Sequence, residues 1–287
     1  MNHVGINIMG NTLQLVGVVE KNKIYYLENV DEELFSETLD FQSSDFINVF
    51  QTAFDNLTQR NQIKSDKISV ALPIDLFKIF SFPLEPQLSG SDLQKQIEWE
   101  FSVLFPTLSF KDHIIRQKKI SSGLYSYPEA MIIAVDQNPA REIYNFLLQN
   151  DLVLQFIDNA HFASDLLIKK NNTISVYVGG QTVSFFTYKN NELTGYRKFV
   201  TDNNTKLIDH INTFASQGEN GFSEFYIAGD IEFSQLQKEI EESVNINFNN
   251  ISPFERIQLS ESFVQNDHYL NKAKLFSSAA GICFRIA

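Results

Sequence analysis

The sequence predicts an α/β fold made of two similar lobes with a cleft between them. Residues 173–199 are expected to form three short strands, and the turn between the first two, at 179–182, begins with Gly-Gly. Glycine allows the positive backbone angles that a tight hairpin needs. Residues 4–26 repeat this plan around a turn at 9–12, 170 positions earlier in the chain. Two copies of one unit, each opening half of the chain, indicate a duplicated fold.

The first half continues with a helix and an inner strand. Ser44 or Asp45 is expected to cap the helix, in which apolar residues recur at helical spacing over 46–57 and predict a face packed on a sheet. Residues 67–72 (KISVAL) form a short apolar run that is typical of an inner strand. Pro73 ends this strand because proline cannot donate to a strand ladder.

Residues 76–151 predict a small α+β subdomain inserted into the first lobe, which spans 1–170. The order strand, helix, strand, strand, helix within about 75 residues supports this boundary. The elements are a strand at 76–84, a helix with a capping box at Ser91 and Gln94 that Pro106 ends, strands at 110–119 and 130–135, and a helix from Asn138.

The first lobe closes with a strand at 152–157 and a helix that Asp158 or Asn159 caps. The second lobe is predicted at 171–287 and begins with the hairpin at 173–199. A terminal helix at about 274–286 is expected to pack back toward the cleft. The other predicted elements are helices at 203–215 and 234–244 and strands at 224–228 and 246–248.

The bulk properties exclude several classes of function. The net charge is −12, and the short basic run at 116–119 is most simply a solvated strand end, so a nucleic-acid binder is not expected. The single cysteine, Cys283, excludes a disulfide scaffold and fits a reducing compartment. The five histidines lack metal-ligand spacing. No apolar stretch approaches the roughly 20 residues that span a bilayer. We therefore expect a cytoplasmic protein that reaches a membrane only through a partner.

Eight stretches, taken in order, resemble the PilM family of actin-like proteins from type IV pilus assembly. Relatives of that family include FtsA and the cytoplasmic domains of type II secretion L proteins. The stretches are VGINIMGNTLQLV (4–16), ISVALPIDLFKIFSFPL (68–84), LQKQIEWEFSVLFP (93–106), LLQNDLVLQFIDNAHFASDLL (147–167), YVGGQTVSFFTYKNNELTGYRKF (177–199), YIAGDIEFSQLQKEI (226–240), ISPFERI (251–257) and SAAGICFRIA (278–287).

The resemblance implies an actin-like ATPase fold of the ribonuclease H-like type, with an SHS2-like inserted subdomain. In this fold ATP lies in the cleft. The two hairpin turns hold its phosphates with backbone N–H groups and hydroxyls, and carboxylates hold magnesium. The implied nucleotide-binding residues are Asn7, Gly10, Asn11, Thr12, Asp158, Gly179, Gly180, Gln181, Thr182 and Gly229.

Three motifs depart from the family pattern, and all three weaken a nucleotide site. Asn7 and Tyr177 replace the hairpin aspartates, and Met9 replaces a glycine that a phosphate would approach. Asp230, next to Gly229, would face the nucleotide's own negative charge. Each lost charge-assisted contact is worth roughly 1.5–3 kcal/mol. The sequence therefore predicts a degenerate site with no catalytic residue and no required cofactor, and Mg-ATP is implied only by resemblance.

Two of these positions have simpler explanations that stay open at this point. Asp158 matches an aspartate of the family motif, but it could equally be the N-cap of the following helix. The pair Gly179-Gly180 could serve only the hairpin turn.

The resemblance also implies a protein partner. A PilN-like single-span membrane protein would insert its N-terminal cytoplasmic tail, as an extended peptide, into a groove between the inserted subdomain and the first lobe. Phe80, Phe82 and Trp99 are the candidate contacts, although the two phenylalanines could be ordinary core. The predicted function is a scaffold protein, with self-association into a ring or filament left open. The alternative is an ATPase or a sugar-kinase-like enzyme that uses Asp158 as its carboxylate.

Overall fold

The structure is a computed structural model of the chain. It describes residues 2–85, 87–121, 128–200, 206, 208–213, 221–229, 239, 242–243, 247–259, 263 and 267–286. The strands are β1 (Asn2–Met9), β2 (Thr12–Lys21), β3 (Ile24–Leu34), β4 (Lys67–Leu72), β5 (Phe77–Pro83), β6 (His113–Ile120), β7 (Glu129–Asp136), β8 (Val153–Asn159), β9 (Thr173–Gly179), β10 (Thr182–Lys189), β11 (Glu192–Val200), β12 (Glu224–Gly229) and β13 (Asn249–Asn250). The helices are α1 (Phe46–Arg60), α2 (Gly90–Leu104), α3 (Gln137–Gln149), α4 (Ala160–Ser164), α5 (Asp267–Asn271) and α6 (Ser277–Ile282), and residues 208–213 are also helical.

Two five-stranded sheets with the same topology confirm the duplicated two-lobe fold. The first has the order β3-β2-β1-β4-β8 and the second has the order β11-β10-β9-β12-β13. In each sheet the first three strands along the chain pair antiparallel, and the last two lie parallel to the first of them. This order repeats because the same hairpin unit opens both lobes.

The turns of the two hairpins match in backbone conformation. Gly10 has φ +55° and Gly180 has φ +57°, while Gly179 ends β9 with an ordinary φ. The second turn of each lobe places two consecutive residues at positive φ, at 22–23 and 190–191. Asparagine supplies three of these four positions and tolerates this conformation better than most residues. Local turn chemistry therefore sets both copies of the unit.

The core of the first lobe forms where α1 packs on the sheet. The predicted apolar face of α1 is confirmed, since the six apolar residues at 46, 49, 50, 53, 54 and 57 are all buried. Phe50 and Phe54 each meet the ring of Phe146 on α3 edge-on, at 5.6 and 5.3 Å between centroids. Asp45 occupies the N-cap position of α1 but makes no side-chain capping bond.

The inserted subdomain is a three-stranded antiparallel sheet, β5-β7-β6, with α2 on one face. Phe82, Ile97 and Ile132 form the core between them. The other face packs Met131 against Phe186 and Tyr188 of the second lobe. The predicted capping box in α2 is wrong: the helix begins earlier, at Gly90. The Asp92 amide already donates to the Ser89 carbonyl, so Ser91 lies inside the first turn.

The terminal segment is helical but not one continuous α-helix. A 3-10 turn at Ala273–Phe276 leads into α6, and a second at Cys283–Ile286 follows it. The α6 backbone approaches β1 and α4 closely, because Gly5 faces the Ala279 carbonyl and Gly281 faces the Ala163 carbonyl.

One difference from the sequence prediction concerns the second lobe. The predicted strand at 246–248 is displaced, since β13 pairs with β12 at 249–250 while Phe248 turns into the core. The helix predicted at 203–215 is confirmed where it is described, at 206 and 208–213, and most of the one predicted at 234–244 lies outside the described residues. Within the described part of the chain, no helix is both long enough and apolar enough to cross a membrane.

Candidate functional site

Asn7 lies in β1, where the resemblance implies a magnesium-facing residue, but its amide is engaged within the hairpin. The side chain is fully buried, and Nδ2 donates to Gln14 Oε1 at 3.0 Å across the β1–β2 pair. Asn7 Oδ1 and Gln14 Nε2 have no hydrogen-bond partner among the described residues. The polar groups here are neutral amides, which do not supply the negative charge that magnesium needs.

Tyr177 occupies the equivalent position in β9 and is also buried. Its ring lies against His161, 5.5 Å between centroids, and its hydroxyl is 3.2 Å from that of Ser278. A phenol ring therefore fills the place where the second carboxylate would stand, and its hydroxyl contacts α6 through Ser278.

An apolar cluster joins the two lobes beside the hairpin turns. We call it the inter-lobe cluster. It contains Ala71, Ile74, Ala160, Ala163, Tyr177, Ala228, Ile251 and Ile282. Ile74, from the first lobe, lies so close to the second hairpin that a Cβ on Gly179 would come within 3.2 Å of Ile74 Cγ1. Gly179 therefore packs against a hydrophobic side chain of the first lobe, as a residue in a closed core does.

A lysine ties the second lobe to the turn that carries Ile74. Lys198 Nζ, on β11, donates to the carbonyls of Ile74 and Phe77 at 3.1 and 3.2 Å. Burial, reinforced by the nearby Lys78, lowers the pKa of Lys198 to about 8. Carbonyl oxygens compensate the ammonium for its lost hydration, so the contact closes the lobes over the inter-lobe cluster.

Asp158 lies near the end of β8 and does not cap the following helix, α4. Asn159 is the N-cap of α4, since its side chain accepts from the His161 amide, so the interpretation of Asp158 as the cap is wrong. Asp158 Oδ2 instead lies 3.4 Å from Arg285 Nη2 in the terminal segment. Burial raises the pKa of Asp158, and Arg285 opposes that shift. Its charge is thus already matched by a residue of the same chain.

Gly229 is explained by backbone packing. It has φ +125°, and a Cβ at this position would lie 1.8 Å from the Val178 carbonyl oxygen of β9. Only glycine permits both that conformation and that approach. Asp230 lies outside the described residues. The turn residues Gly10, Asn11, Gly180 and Gln181 sit at the hairpin tips, and Thr12 and Thr182 begin the following strands.

A buried polar network, which the sequence did not reveal, attaches α4 to the second sheet. Ser184 Oγ lies 2.7 Å from His161 Nδ1, and His161 Nε2 lies 3.0 Å from Ser175 Oγ. Ser175 and Tyr188 donate to the two oxygens of Asp165, at 2.5 and 2.6 Å. These contacts assign the imidazole proton to Nε2. Because every member is buried, the histidine, serine and aspartate form a structural network closed to substrate.

These residues do not fit a magnesium–triphosphate group. Magnesium is held in proteins by carboxylates and water. The hairpins present an amide and a phenol, and Asp158 is paired with Arg285. Among the described residues, no three or more histidine, cysteine, aspartate or glutamate side chains gather as a metal site would require. Within the described residues, the two hairpins therefore offer no carboxylate with which to hold magnesium.

A groove of about 700 Å³ opens on the first lobe, between that lobe's sheet and the inserted subdomain. β8 forms one wall and is the last strand of its sheet, so its outer edge is unpaired within the described part of the chain. β6 and α3 form the other walls. Three large side chains stand exposed in the groove: Ile114 (43 %), Tyr144 (48 %) and Phe156 (38 %).

The three predicted partner contacts lie elsewhere on the subdomain. Strand register places Phe80 and Phe82 opposite Ile132 and Ala130, on the face that α2 covers. Phe82 is 5 % exposed and belongs to the core, while Trp99 is 57 % exposed on α2. The groove-facing residues of β6 sit on the other face of the sheet. The structure therefore does not bring the three contacts to the groove, and their role in partner binding stays a prediction.

The basic run at 116–119 is exposed on the edge strand β6, as predicted for a solvated strand end, but the prediction did not connect it with the groove. A signal was present in the alternation of Ile114, Arg116 and Lys118, whose partners across the sheet are Val135, Ile133 and Met131. Alternate residues of a strand share one face. Arg116 and Lys118 therefore share the groove-facing side of β6 with Ile114.

Comparison with known proteins finds similarity in structure alone. No family model matches the chain, and no curated protein matches its sequence. A solved structure of a PilM-PilN type IV pilus biogenesis complex superimposes with a TM-score of 0.76 over 99% of this chain and 98% of that one, at 13% identity. A Bacteroides thetaiotaomicron protein with an actin-like ATPase fold and unknown function superimposes with a TM-score of 0.52, over 98% and 95% of the two chains at 13% identity.

The chain has an actin-like fold. The cytoplasmic domain of EpsL, an inner membrane component of the type II secretion system of Vibrio cholerae, is a further neighbour. Its TM-score is 0.50, with 8% identity, over 87% of this chain and 97% of that one. The actin-like fold therefore accounts for the two lobes, the paired hairpins and the position of the cleft. It does not by itself account for the groove or for the closed inter-lobe cluster.

Proposed function

We propose that this protein is an actin-like scaffold of a type IV pilus or related secretion machine, and that it binds the cytoplasmic tail of an inner-membrane partner. The observation that carries the proposal is the groove beside the unpaired edge of β8. The similarity to a structure that contains PilM and PilN supports the choice of partner, a PilN-like single-span protein. The scaffold would then be cytoplasmic and would reach the membrane through that tail.

An extended tail fits this groove for two physical reasons. A free strand edge offers unpaired N–H and C=O groups, and a peptide that adds to it forms main-chain hydrogen bonds. The exposed side chains at 114, 144 and 156 offer apolar surface beside that edge. Main-chain bonding supplies affinity and the side-chain contacts supply selectivity.

The binding test uses fluorescently labelled synthetic peptides of the N-terminal tails of single-span membrane proteins encoded beside this chain. We expect one tail to bind, and Phe156→Ala to weaken it about tenfold or more, because a buried phenylalanine contributes roughly 1.5–3 kcal/mol. Fluorescence anisotropy measures the dissociation constants. Trp99→Ala is the matched control, since Trp99 is an exposed aromatic residue on a different face of the subdomain.

The opposite pattern would contradict this placement. If Trp99→Ala weakened the tail and Phe156→Ala did not, the α2 face would be the docking surface. If the protein bound none of the tails, the proposal of a tail-binding scaffold would be wrong.

We further propose that the protein does not hydrolyse ATP. The neutral pair Asn7 and Tyr177, and the pairing of Asp158 with Arg285, support this. Calorimetric titration with ATP and magnesium should show no binding in the micromolar range, and a phosphate-release assay should stay at the level of buffer. Micromolar binding with phosphate release that Asp158→Asn abolishes would instead establish the alternative, an ATPase or kinase-like enzyme.

A further inference from the structure

The groove on the first lobe is positively charged, although the whole chain carries a net charge of −12. Its lining contains four cationic side chains, Arg116, Lys118, Arg141 and Arg285, and one carboxylate, Asp158. A local excess of one sign, set in a concave apolar surface, raises the local concentration of ligands of the opposite sign. The groove therefore has the opposite sign of charge from the chain as a whole.

Three of these cations form no ion pair within the part of the chain that the structure describes. Arg285 pairs with Asp158, whereas Arg116, Lys118 and Arg141 take part in no ion pair there. Burial, followed by the nearby charge of Arg285, lowers the pKa of Lys118, and the carboxylates of Asp158 and Glu192 oppose that shift. Lys118 and Arg285 therefore repel each other in the groove, and an arriving anion would relieve that repulsion.

The cations are interleaved with apolar side chains. Ile114, Arg116 and Lys118 alternate along β6 on a single face. Arg141 and Tyr144 lie three residues apart and therefore share a face of α3. Phe156 stands on the facing wall, and the Arg285 guanidinium lies 5.9 Å from its ring centroid. Each cation consequently has an apolar neighbour that lines the same groove.

We propose that the groove selects an extended peptide in which acidic side chains stand next to apolar ones. This inference rests on the proposed function and specifies the chemistry of the tail that docks. An extended chain places every second side chain on one side, so the acidic and apolar residues that face the groove recur at a spacing of two. Carboxylates on these residues pair with Arg116 and Arg141, whose planar guanidinium groups each donate two parallel hydrogen bonds to the carboxylate oxygens.

The test selects ten-residue random peptides, displayed on phage, against the full chain. We expect the recovered peptides to be enriched in aspartate and glutamate beside apolar residues. The double variant with Arg116→Glu and Arg141→Glu should bind the recovered acidic peptides at least tenfold more weakly and should itself recover peptides rich in lysine and arginine. Lys95→Glu, on the exposed surface of α2, is the matched control and should change neither result.

The outcomes separate this inference from the function on which it rests. Peptides that lose binding in Phe156→Ala, yet carry no excess of acidic residues, would overturn the charge inference and leave the tail-binding groove intact. Recovery of no peptide that depends on Phe156 would overturn both. Binding to phosphatidylglycerol vesicles that the double charge reversal abolishes, without any peptide recovered, would assign the groove to a lipid surface and overturn the peptide proposal.

Discussion

Gly281→Val is expected to leave little folded protein, with a loss of about 4 kcal/mol or more in the free energy of unfolding. A Cβ at Gly281 would lie 2.0 Å from the Ala163 carbonyl oxygen and 2.8 Å from its carbonyl carbon. Both atoms belong to backbone, so no side-chain rotation relieves the overlap. The cost is large because α6 is buried between both lobes and cannot shift without opening the inter-lobe cluster.

Gly281→Ala tests the same contact with a smaller change. Alanine has a higher helix propensity than glycine by about 1 kcal/mol, so propensity alone predicts stabilisation at this helical position. We expect destabilisation instead, measured by urea unfolding. Gly17→Ala is the matched control. Its new Cβ would meet the side-chain oxygen of Asn29 at 2.1 Å, and a side chain can turn away.

The order of the two alanine variants decides the outcome. Gly281→Ala should be clearly less stable than Gly17→Ala. If the two were equally stable, or if Gly281→Ala were more stable than the wild type, α6 would not be packed tightly against α4. The terminal segment would then not be held between the two lobes as the structure describes.

Asp165→Asn is expected to change the pH dependence of stability. Burial, the largest cause, raises the pKa of Asp165 to about 6 in the folded chain, although the hydroxyls of Ser175 and Tyr188 and the nearby Lys170 oppose the shift. A carboxyl group whose pKa is higher in the folded state stabilises the fold fully below its unfolded pKa, and this contribution is lost as pH rises through the folded pKa. The window therefore runs from about pH 4 to about pH 6.

The wild type should lose about 3 kcal/mol relative to Asp165→Asn across that window, and the difference should stay constant above it. Urea unfolding at a series of pH values gives the difference directly. The pKa of His161 is lowered well below its usual range by burial. Both proteins keep this histidine, so the difference between their profiles reports the change at Asp165.

Asp92→Asn, at an exposed carboxylate on α2, is the control for this experiment and should follow the wild type. A wild type and an Asp165→Asn variant with parallel pH profiles would show that Asp165 is not held in a desolvated site. The buried network between α4 and the second sheet would then have to be arranged differently.

Much of the fold follows from local sequence. The paired hairpins were predictable because a glycine at positive φ fixes each turn, at Gly10 and Gly180, and because the flanking strands alternate in the same way. The face of α1 was predictable from helical spacing alone. The lack of a carboxylate at the corresponding positions of the two hairpins, Asn7 and Tyr177, was visible in the sequence because residue type needs no coordinates to be recognised.

Contacts between distant segments decided the rest. The sequence by itself determined the two-lobe α/β plan, the inserted subdomain and the absence of acidic residues at both hairpins, because these depend on turn chemistry, periodicity and residue type. Only the tertiary structure placed Arg285 on Asp158, Ile74 against Gly179, and β6, β8 and α3 around one groove. Such contacts join residues far apart in the chain, and their geometry depends on strand register and packing, which no local pattern encodes.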